Sequence, residues 1–285
     1  MSKNYVLYSP LAGYGTGEIE ARSLERKFSG ENEYLNVLKM DDYETFFNGL
    51  TAEDKIVLCG GDGTLTQFAR RLNGRTLPCE ILYHASGSGN DFLRDIGKTK
   101  EDCPVKINEY LEDLPVVTVN GKEYPVLNGV GFGIDGYCCE VGDRERLKSD
   151  KPVNYTAIAI KGLLFHFKPR NAVITVDGTR YEYKKVWLAP TMHGGYYGGG
   201  MWATPNQKRN NPDGTVSTML FYGKGRLRTL ISFPSIFSGE HVKKTKMVAV
   251  LTGKNIEVEF DKPTPLQIDG ETILDVTKYS IRSGK

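Results

Sequence analysis

A short apolar run followed by a glycine-rich turn and an amphipathic helix, residues 55–72, constrains the fold of this chain more than any other stretch. Residues 56–59 are continuously apolar, which is typical of a strand buried on both faces of a parallel sheet. After the glycines, apolar residues recur at helical spacing, at Leu65, Phe68, Ala69 and Leu72. The pattern predicts strand, glycine turn and helix, with Thr64 as the N-terminal cap and a stop at residues 73–74.

The glycine turn has the features of a phosphate-binding loop. Glycine lets the backbone approach a ligand closely, and the N–H groups at the start of a helix suit an anion. Asp62 would repel phosphates unless a divalent cation lay between them, so the turn indicates a magnesium-nucleotide site. A tight turn without a ligand is the alternative, and the turn alone leaves both interpretations open.

The segments around this turn predict an α/β domain. Strands are expected at 5–8, 34–38, 56–59 and 80–84, and helices at 18–28, 42–48 and 65–72. This alternation is the signature of a parallel sheet built from right-handed crossovers. Glycine-rich loops follow the first and last of these strands, at 9–17 and 85–94, where ligands of open α/β sheets usually bind.

The periodicity changes near residue 115. Turn signals at Asn120-Gly121, Asp177-Gly178, Asp213-Gly214 and Gly253 stand beside short apolar runs, so the second half is predicted to be mainly antiparallel β. A helical pattern at 153–167 interrupts it. We expect residues 1–117 to form the α/β domain and 118–274 a β-sandwich, with the option that the tail 275–285 returns to the first domain.

Composition limits the possible functions. With 285 residues, 39% hydrophobic and 25% charged, the chain is typical of a two-domain soluble enzyme. A net charge of +2 argues against a nucleic-acid partner. The five cysteines lack the spacing of a disulfide framework or a zinc site. The absence of a signal peptide or membrane span in the sequence predicts a cytoplasmic protein whose membrane contact is peripheral.

Several different motifs follow one another along nearly the whole chain in a characteristic order. The blocks are 60–65, 87–94, 128–135, 198–201, 212–214 and 268–271. Together they resemble the diacylglycerol kinase and sphingosine kinase superfamily, in particular its bacterial soluble lipid kinases. NAD kinases share the first and last motifs, but residues 90–92 followed by Arg94 favour the lipid-kinase branch.

The resemblance implies an N-terminal α/β nucleotide-binding domain, a mainly antiparallel β-sandwich C-terminal domain, and an active site in the cleft between them that uses ATP and Mg²⁺. The residues expected to contact ATP are Ser9, Gly13, Gly61, Asp62, Gly63, Thr64, Gln67 and Ser88. Asp62, Asp91 and Asp269 are expected to form a network with water and magnesium, with Asp269 as the catalytic base and Glu271 as its rival. A structural magnesium ion is expected at Asp213, Asn210 and Thr215.

The predicted function is phosphorylation of a lipid alcohol by ATP, with diacylglycerol to phosphatidic acid as the specific expectation and phospholipid biosynthesis as its context. An NAD kinase and a catalytically inactive nucleotide- or lipid-binding module remain alternatives. Ser9, Gln67 and Ala85 depart from the family pattern, where Asn, Glu and Pro are usual, which leaves rate and nucleotide preference open.

The expected partner is a lipid substrate at a membrane surface, and a homodimer is left open. Segment 161–170 mixes apolar and basic residues, as an interfacial segment does, although core packing of the same helix is the alternative. A basic face for anionic headgroups is expected from Arg226, Arg228, Lys243, Lys244 and Lys246.

Overall fold

The structure, a computed structural model, describes residues 2–87, 89–148 and 153–285. It divides into two compact units, of which the first ends at Leu114 and the second is Pro115–Lys285. The predicted boundary between residues 117 and 118 falls inside a strand of the second unit, Val116–Val119. The boundary therefore lies three residues earlier, before the strand begins rather than within it.

The first unit is the alternating α/β domain that the sequence predicts. Its strands are β1 Lys3–Tyr8, β2 Glu31–Asn36, β3 Lys55–Gly60, β4 Glu80–Ala85 and β5 Val105–Lys106. They lie in the order β2-β1-β3-β4-β5, parallel from β2 to β4, with β5 antiparallel to β4. The helices are α1 Gly17–Ser23, α2 Tyr43–Asn48, α3 Asp62–Leu72, α4 Asp91–Asp95 and α5 Asn108–Leu111.

The apolar residues predicted for strand β3 and helix α3 are buried in the core. Residues 56–59 are completely buried, as expected for an inner strand covered on both faces, and full burial of such a side chain stabilises the fold by about 1.5–3 kcal/mol. All the apolar positions predicted for α3 are buried as well. The predicted cap is wrong, because α3 begins at Asp62 with Gly61 as its N-cap. Thr64 instead packs in the first turn against Gly60, where a Cβ would lie 2.4 Å from its Oγ1.

The second unit is antiparallel β with helices. Its strands are β6 Val116–Val119, β7 Lys122–Pro125, β8 Gly129–Gly133, β9 Arg170–Val176, β10 Thr179–Val186, β11 Leu188–Met192, β12 Tyr196–Tyr197, β13 Met201–Trp202, β14 Val216–Phe221, β15 Val248–Gly253, β16 Asn255–Ile268 and β17 Glu271–Arg282. The main sheet has the order β15-β14-β11-β8-β16-β17-β6-β7, with β9 paired to β16 and β10 to β9. The helices are α6 Ile134–Arg146, α7 Tyr155–Lys161 and α8 Arg226–Ser232. The fold class predicted for both halves is thus confirmed.

Two details of this unit differ from the sequence prediction. Strands β15 and β16 do not pair across Gly253, because the Asp177 carboxylate accepts N–H bonds from Lys254 and Asn255 and leads β16 onto β9. Helix α6 lies in the half of the chain that the sequence predicts to be mainly antiparallel β. Its Gly136 packs so closely on β16 that a Cβ would lie 2.0 Å from the Pro265 carbonyl oxygen.

The C-terminal tail also differs. Strand β17 pairs with β16 and with β6, with Ser280 opposite Thr118. This pairing keeps residues 275–282 in the sheet of the second unit, which extends to Lys285, so the structure contradicts the option that the tail returns to the first domain.

Candidate active site

Glycine-rich loops gather at one edge of the first unit's sheet. Because β1, β3 and β4 are parallel, their carboxyl ends meet at this edge. The Ser9 N–H donates to the Cys59 carbonyl at 3.3 Å, and the Ser86 N–H donates to the Gly60 carbonyl at 2.9 Å. The strand order reverses between β1 and β3, and ligands of open α/β sheets bind in the crevice at such a switch point.

The loops approach each other through bare backbone. A Cβ on Gly87 would lie 2.6 Å from the Gly61 Cα, so neither loop can take a side chain there without moving the other. Gly13 has a φ of +59°, and a Cβ on it would lie 3.1 Å from the Ser86 carbonyl oxygen. The result is a backbone cradle of the kind that admits a phosphate group.

Asp62 links the first and second motifs directly. Its Oδ2 accepts the Asp91 N–H at 2.8 Å and its Oδ1 accepts the Phe92 N–H at 3.4 Å, so the carboxylate caps α4. Asp91 is buried, with its Oδ1 3.5 Å from Nη1 of Arg94. The structure therefore places the Asp62 carboxylate against the backbone of Asp91, and carboxylate oxygens are the donors that Mg²⁺ prefers.

The other residues predicted to contact ATP have different positions. Ser9 is buried at the end of β1, whereas Gly63 and Thr64 lie in the first turn of α3. Gln67 lies on the same helix and is exposed. Ser88 lies outside the described residues.

In the second unit, Asp269 is held by the backbone at the start of β8. Its Oδ1 accepts the N–H groups of Asn128 at 2.7 Å and Gly129 at 3.0 Å, and its Oδ2 accepts the Leu127 N–H at 2.8 Å. Asp269 has a φ of 50° and forms a two-residue turn with Gly270. Glu271 begins β17 and is exposed. The motif thus separates a backbone-clamped carboxylate from an exposed one.

Two buried side chains that the sequence does not single out complete this cluster. The Arg209 guanidinium donates to the Leu127 carbonyl and, at 2.8 Å, to Oδ1 of Asn128. His193 Nδ1 lies 3.1 Å from the same carbonyl, which makes Nδ1 the donor. Burial, and then the charge of Arg209, lower the pKa of His193 to about 3, so the ring is neutral near pH 7. An arginine in a polar loop gives no sequence signal of burial, although His193 does open the glycine-rich stretch 193–201.

Asp135 is a further buried carboxyl, in the first turn of α6. Its Oδ1 accepts the Gly136 N–H at 2.8 Å, while its Oδ2 has no hydrogen-bond partner among the described residues. Burial raises the pKa of Asp135 to about 6, against the smaller opposing effects of the Gly136 N–H and the Gln267 amide. Gln267 Oε1 accepts the Gly270 N–H at 2.9 Å, so the amide beside Asp135 also braces the Asp269 turn.

The residues predicted to hold a structural metal lie on one surface turn. Asp213 and Asn210 are exposed and Thr215 is half-buried. Asn211, which was not predicted, closes the turn by accepting the Thr215 N–H at 2.9 Å and the Thr215 hydroxyl at 3.3 Å. The predicted donors are all oxygens, which suits Mg²⁺, but they supply one carboxylate. Across the described ranges, no group of three or more His, Cys, Asp or Glu side chains could hold a metal ion.

Comparison with known families decides the identity of the fold. Residues 3–118 match the diacylglycerol kinase catalytic domain, and residues 128–280 match the YegS C-terminal NAD kinase beta sandwich-like domain. The chain belongs to the diacylglycerol kinase family. It is therefore a lipid kinase, and the predicted family and enzyme class are confirmed.

Individual relatives of this diacylglycerol kinase family member are distant. The diacylglycerol kinase of Mycobacterium tuberculosis (strain ATCC 25618 / H37Rv) is 26% identical over 213 residues, 72% of this chain and 67% of that protein. YtlR of Bacillus subtilis (strain 168), named as a candidate lipid kinase, is 22% identical over 320 residues, 99% of this chain and 97% of that protein.

A solved structure supports the same fold. A diacylglycerol kinase from Bacillus anthracis str. Sterne superposes with a TM-score of 0.63 at 17% identity, covering 99% of this chain and 94% of that one. At this identity the likeness shows the fold alone. Within the described part of this chain, none of the helices is long and apolar enough to cross a membrane.

Proposed function

We propose that this lipid kinase transfers the γ-phosphoryl group of ATP to the hydroxyl group of diacylglycerol, giving phosphatidic acid. The observation that carries the proposal is the backbone cradle at the switch point of the first unit, with Asp62 and Asp91 beside it. The named activity of the Mycobacterium tuberculosis relative supports diacylglycerol as the acceptor.

The first unit would bind the nucleotide. The start of α3, at Gly63 and Thr64, suits the phosphates, since a helix N-terminus favours negative charge. The Thr64 N–H itself already donates to the Gly61 carbonyl at 2.9 Å. The loop from Ser9 to Gly13 adjoins the other two, because the Ser9 N–H bonds the Cys59 carbonyl and Gly13 lies against the Ser86 carbonyl. Contacts of Gln67 and Ser88 with ATP remain predictions.

Magnesium would be held by the carboxylates of Asp62 and Asp91 and would offset charge on the β- and γ-phosphates. In the structure Asp62 already orders α4 through two N–H bonds. Its substitution would therefore disturb both the metal and the second glycine loop. The structural magnesium at Asp213, Asn210 and Thr215 remains a prediction, and a single carboxylate there implies weak binding.

The second unit would supply the proton acceptor. In the transfer, the lipid hydroxyl oxygen bonds to the γ-phosphorus, the bond from that phosphorus to the β–γ bridging oxygen breaks, and the hydroxyl proton passes to a carboxylate. The N–H donors around Asp269 hold its carboxylate at a fixed position, from which it would accept this proton. Glu271, exposed on the same hairpin, is the alternative base.

The test is transfer from radiolabelled ATP with Mg²⁺ to diacylglycerol, monoacylglycerol and sphingosine in separate detergent micelles, and to NAD in solution. We expect labelled phosphatidic acid as the main product. Label in another lipid would keep the kinase and change the acceptor. Label on NAD alone would contradict the lipid proposal, and no label on any acceptor would indicate a module that binds without transfer.

A further inference from the structure

A basic pocket lies on the second unit between α8 and the segment that precedes β15. Its volume is about 450 Å³, and it is lined by Lys224, Arg228, Ile231, Ser232, Lys243, Lys244, Thr245, Lys246 and Met247. Five of these nine residues are cationic and none is acidic. The pocket therefore favours an anion.

The protein itself neutralises little of this charge. Lys243 pairs with Glu240 at 2.7 Å, and Lys244 Nζ donates to the Ser235 hydroxyl at 2.9 Å. Among the residues that the structure describes, no acidic side chain pairs with Lys224, Arg228 or Lys246. One carboxylate against five cations leaves an excess of four positive charges.

Large apolar side chains stand exposed beside the cations. Leu227 is 66% exposed and Ile231, one helical turn further along α8, is 70% exposed. Phe165, 71% exposed, lies on the turn Gly162–His166, which is tied to α8 because Arg226 donates to the Leu163 carbonyl at 2.9 Å. Exposed apolar residues next to uncompensated cations are typical of a surface that enters a membrane interface.

We infer that this α8 surface, defined as the basic pocket together with Phe165, Leu227 and Ile231, docks on a bilayer that contains anionic phospholipid. The cations would bind the headgroup phosphate, and the apolar side chains would enter the boundary between headgroups and acyl chains. A free phosphate would leave the apolar side chains in water, so the pairing of both features favours the lipid. The inference rests on the proposed function only for its biological purpose, access to a lipid acceptor.

The structure also refines the basic face expected from the sequence. Four of its five residues line the pocket, but Arg226 does not. The Arg226 guanidinium lies 5.5 Å from the Trp187 ring centroid and bonds the Leu163 carbonyl, so it holds α8 in place. Lys224 takes its place among the lining cations.

The test is sedimentation of the full chain with vesicles, without ATP. We compare phosphatidylcholine vesicles with vesicles that also contain phosphatidylglycerol. The pocket variant combines Arg228→Gln, Lys243→Gln and Lys246→Gln, and its matched control combines Lys122→Gln, Lys254→Gln and Lys262→Gln, exposed lysines of the same unit. At roughly fivefold per charge near an anionic surface, the pocket variant should bind about 100-fold more weakly, while the control changes only a few-fold.

A second pair of variants separates lipid from free phosphate. Leu227→Ala with Ile231→Ala should weaken vesicle binding several-fold, while Leu147→Ala with Val250→Ala, also at exposed positions, should not. Thermal unfolding checks that each variant folds. Equal losses in the pocket variant and its control would overturn the inference.

Displacement by inorganic phosphate, but not by chloride at equal ionic strength, together with unchanged binding of the Leu227/Ile231 variant, would also overturn it in favour of a free-phosphate site. Because no nucleotide is present, failure of the kinase proposal would leave this result unaffected. Conversely, activity on detergent micelles without vesicle binding would refute this inference alone.

Discussion

Replacing Asp269 with asparagine probes the clamp that joins the predicted catalytic hairpin to β8. Asparagine keeps the shape of the side chain and tolerates the left-handed backbone at this position, where φ is 50°. The substitution therefore changes the charge and one acceptor atom without straining the turn. Its effect reports on the three N–H bonds from residues 127–129.

The expected cost follows from those bonds. Hydrogen bonds to a charged acceptor contribute about 1.5–3 kcal/mol each and neutral ones about 1 kcal/mol, while an unsatisfied N–H costs about 1–3 kcal/mol. With its oxygen facing Asn128 and Gly129, asparagine keeps two bonds in neutral form and turns an NH₂ group toward the Leu127 N–H. Because Asp269 is half-buried, we expect a loss of about 2–4 kcal/mol in the free energy of unfolding.

The assay is urea denaturation followed by tryptophan fluorescence, with Glu271→Gln as the matched control on the same hairpin. Glu271 is exposed, so its variant should change the free energy of unfolding by less than about 0.5 kcal/mol. A change below about 1 kcal/mol in the Asp269 variant would refute the clamp. Turnover is then measured where both variants are folded, and full activity of Asp269→Asn would remove Asp269 as the base.

Three further predictions concern other buried groups. Burial raises the pKa of Asp135 to about 6, so ionisation of this carboxyl destabilises the fold progressively as pH rises from about 4 to about 6. Between pH 4 and pH 7, the free energy of unfolding of Asp135→Asn should rise by up to about 3 kcal/mol relative to that of the native chain. A difference that does not change with pH would contradict this. The pKa of His193 is lowered to about 3, so below about pH 6.5 this imidazole takes up a proton in the unfolded chain but not in the folded one. Between pH 6.5 and pH 5, the free energy of unfolding of the native chain should fall by about 2 kcal/mol more than that of His193→Gln. Parallel pH profiles of the two proteins would argue against a neutral His193. Gly87→Ala should weaken ATP binding at least about tenfold, because the added Cβ forces the glycine loops apart. Gly225→Ala, which has open space around its Cβ, should leave ATP binding unchanged. Equal ATP affinities of the two variants by calorimetry would rule out the cradle.

Much of the fold follows from local pattern. The apolar run 56–59 and the helical spacing after it identify β3 and α3 because periodicity alone determines which face is buried. Hairpins at Asn120-Gly121 and Asp177-Gly178 follow from turn chemistry, with positive φ at both residues of each pair. These features depend on neighbours in the sequence.

The features that the sequence does not predict depend on distant contacts. Helix α6 was not predicted because it follows directly on the glycine-rich strand β8, and its close packing on β16 appears only in three dimensions. The separation of β15 from β16 depends on a carboxylate at residue 177.

The candidate site also combines residues that local sequence identifies with residues that only distant contacts identify. Its glycines and aspartates are recognisable as motifs, whereas Arg209 and His193 acquire their roles from the carbonyl of Leu127, more than sixty residues away in the chain. Burial of a polar side chain in a loop leaves no mark in local sequence, so such residues emerge only from the folded structure.

The most direct test of the central claim is a competition in which diacylglycerol micelles and NAD are present together with radiolabelled ATP and Mg²⁺. The ratio of labelled phosphatidic acid to labelled NADP measures acceptor choice in one reaction, independent of protein concentration or active fraction. We predict that nearly all transferred label appears in phosphatidic acid and that Asp62→Asn abolishes it. Label mainly in NADP, or phosphatidic acid formation undiminished in Asp62→Asn, would contradict the account.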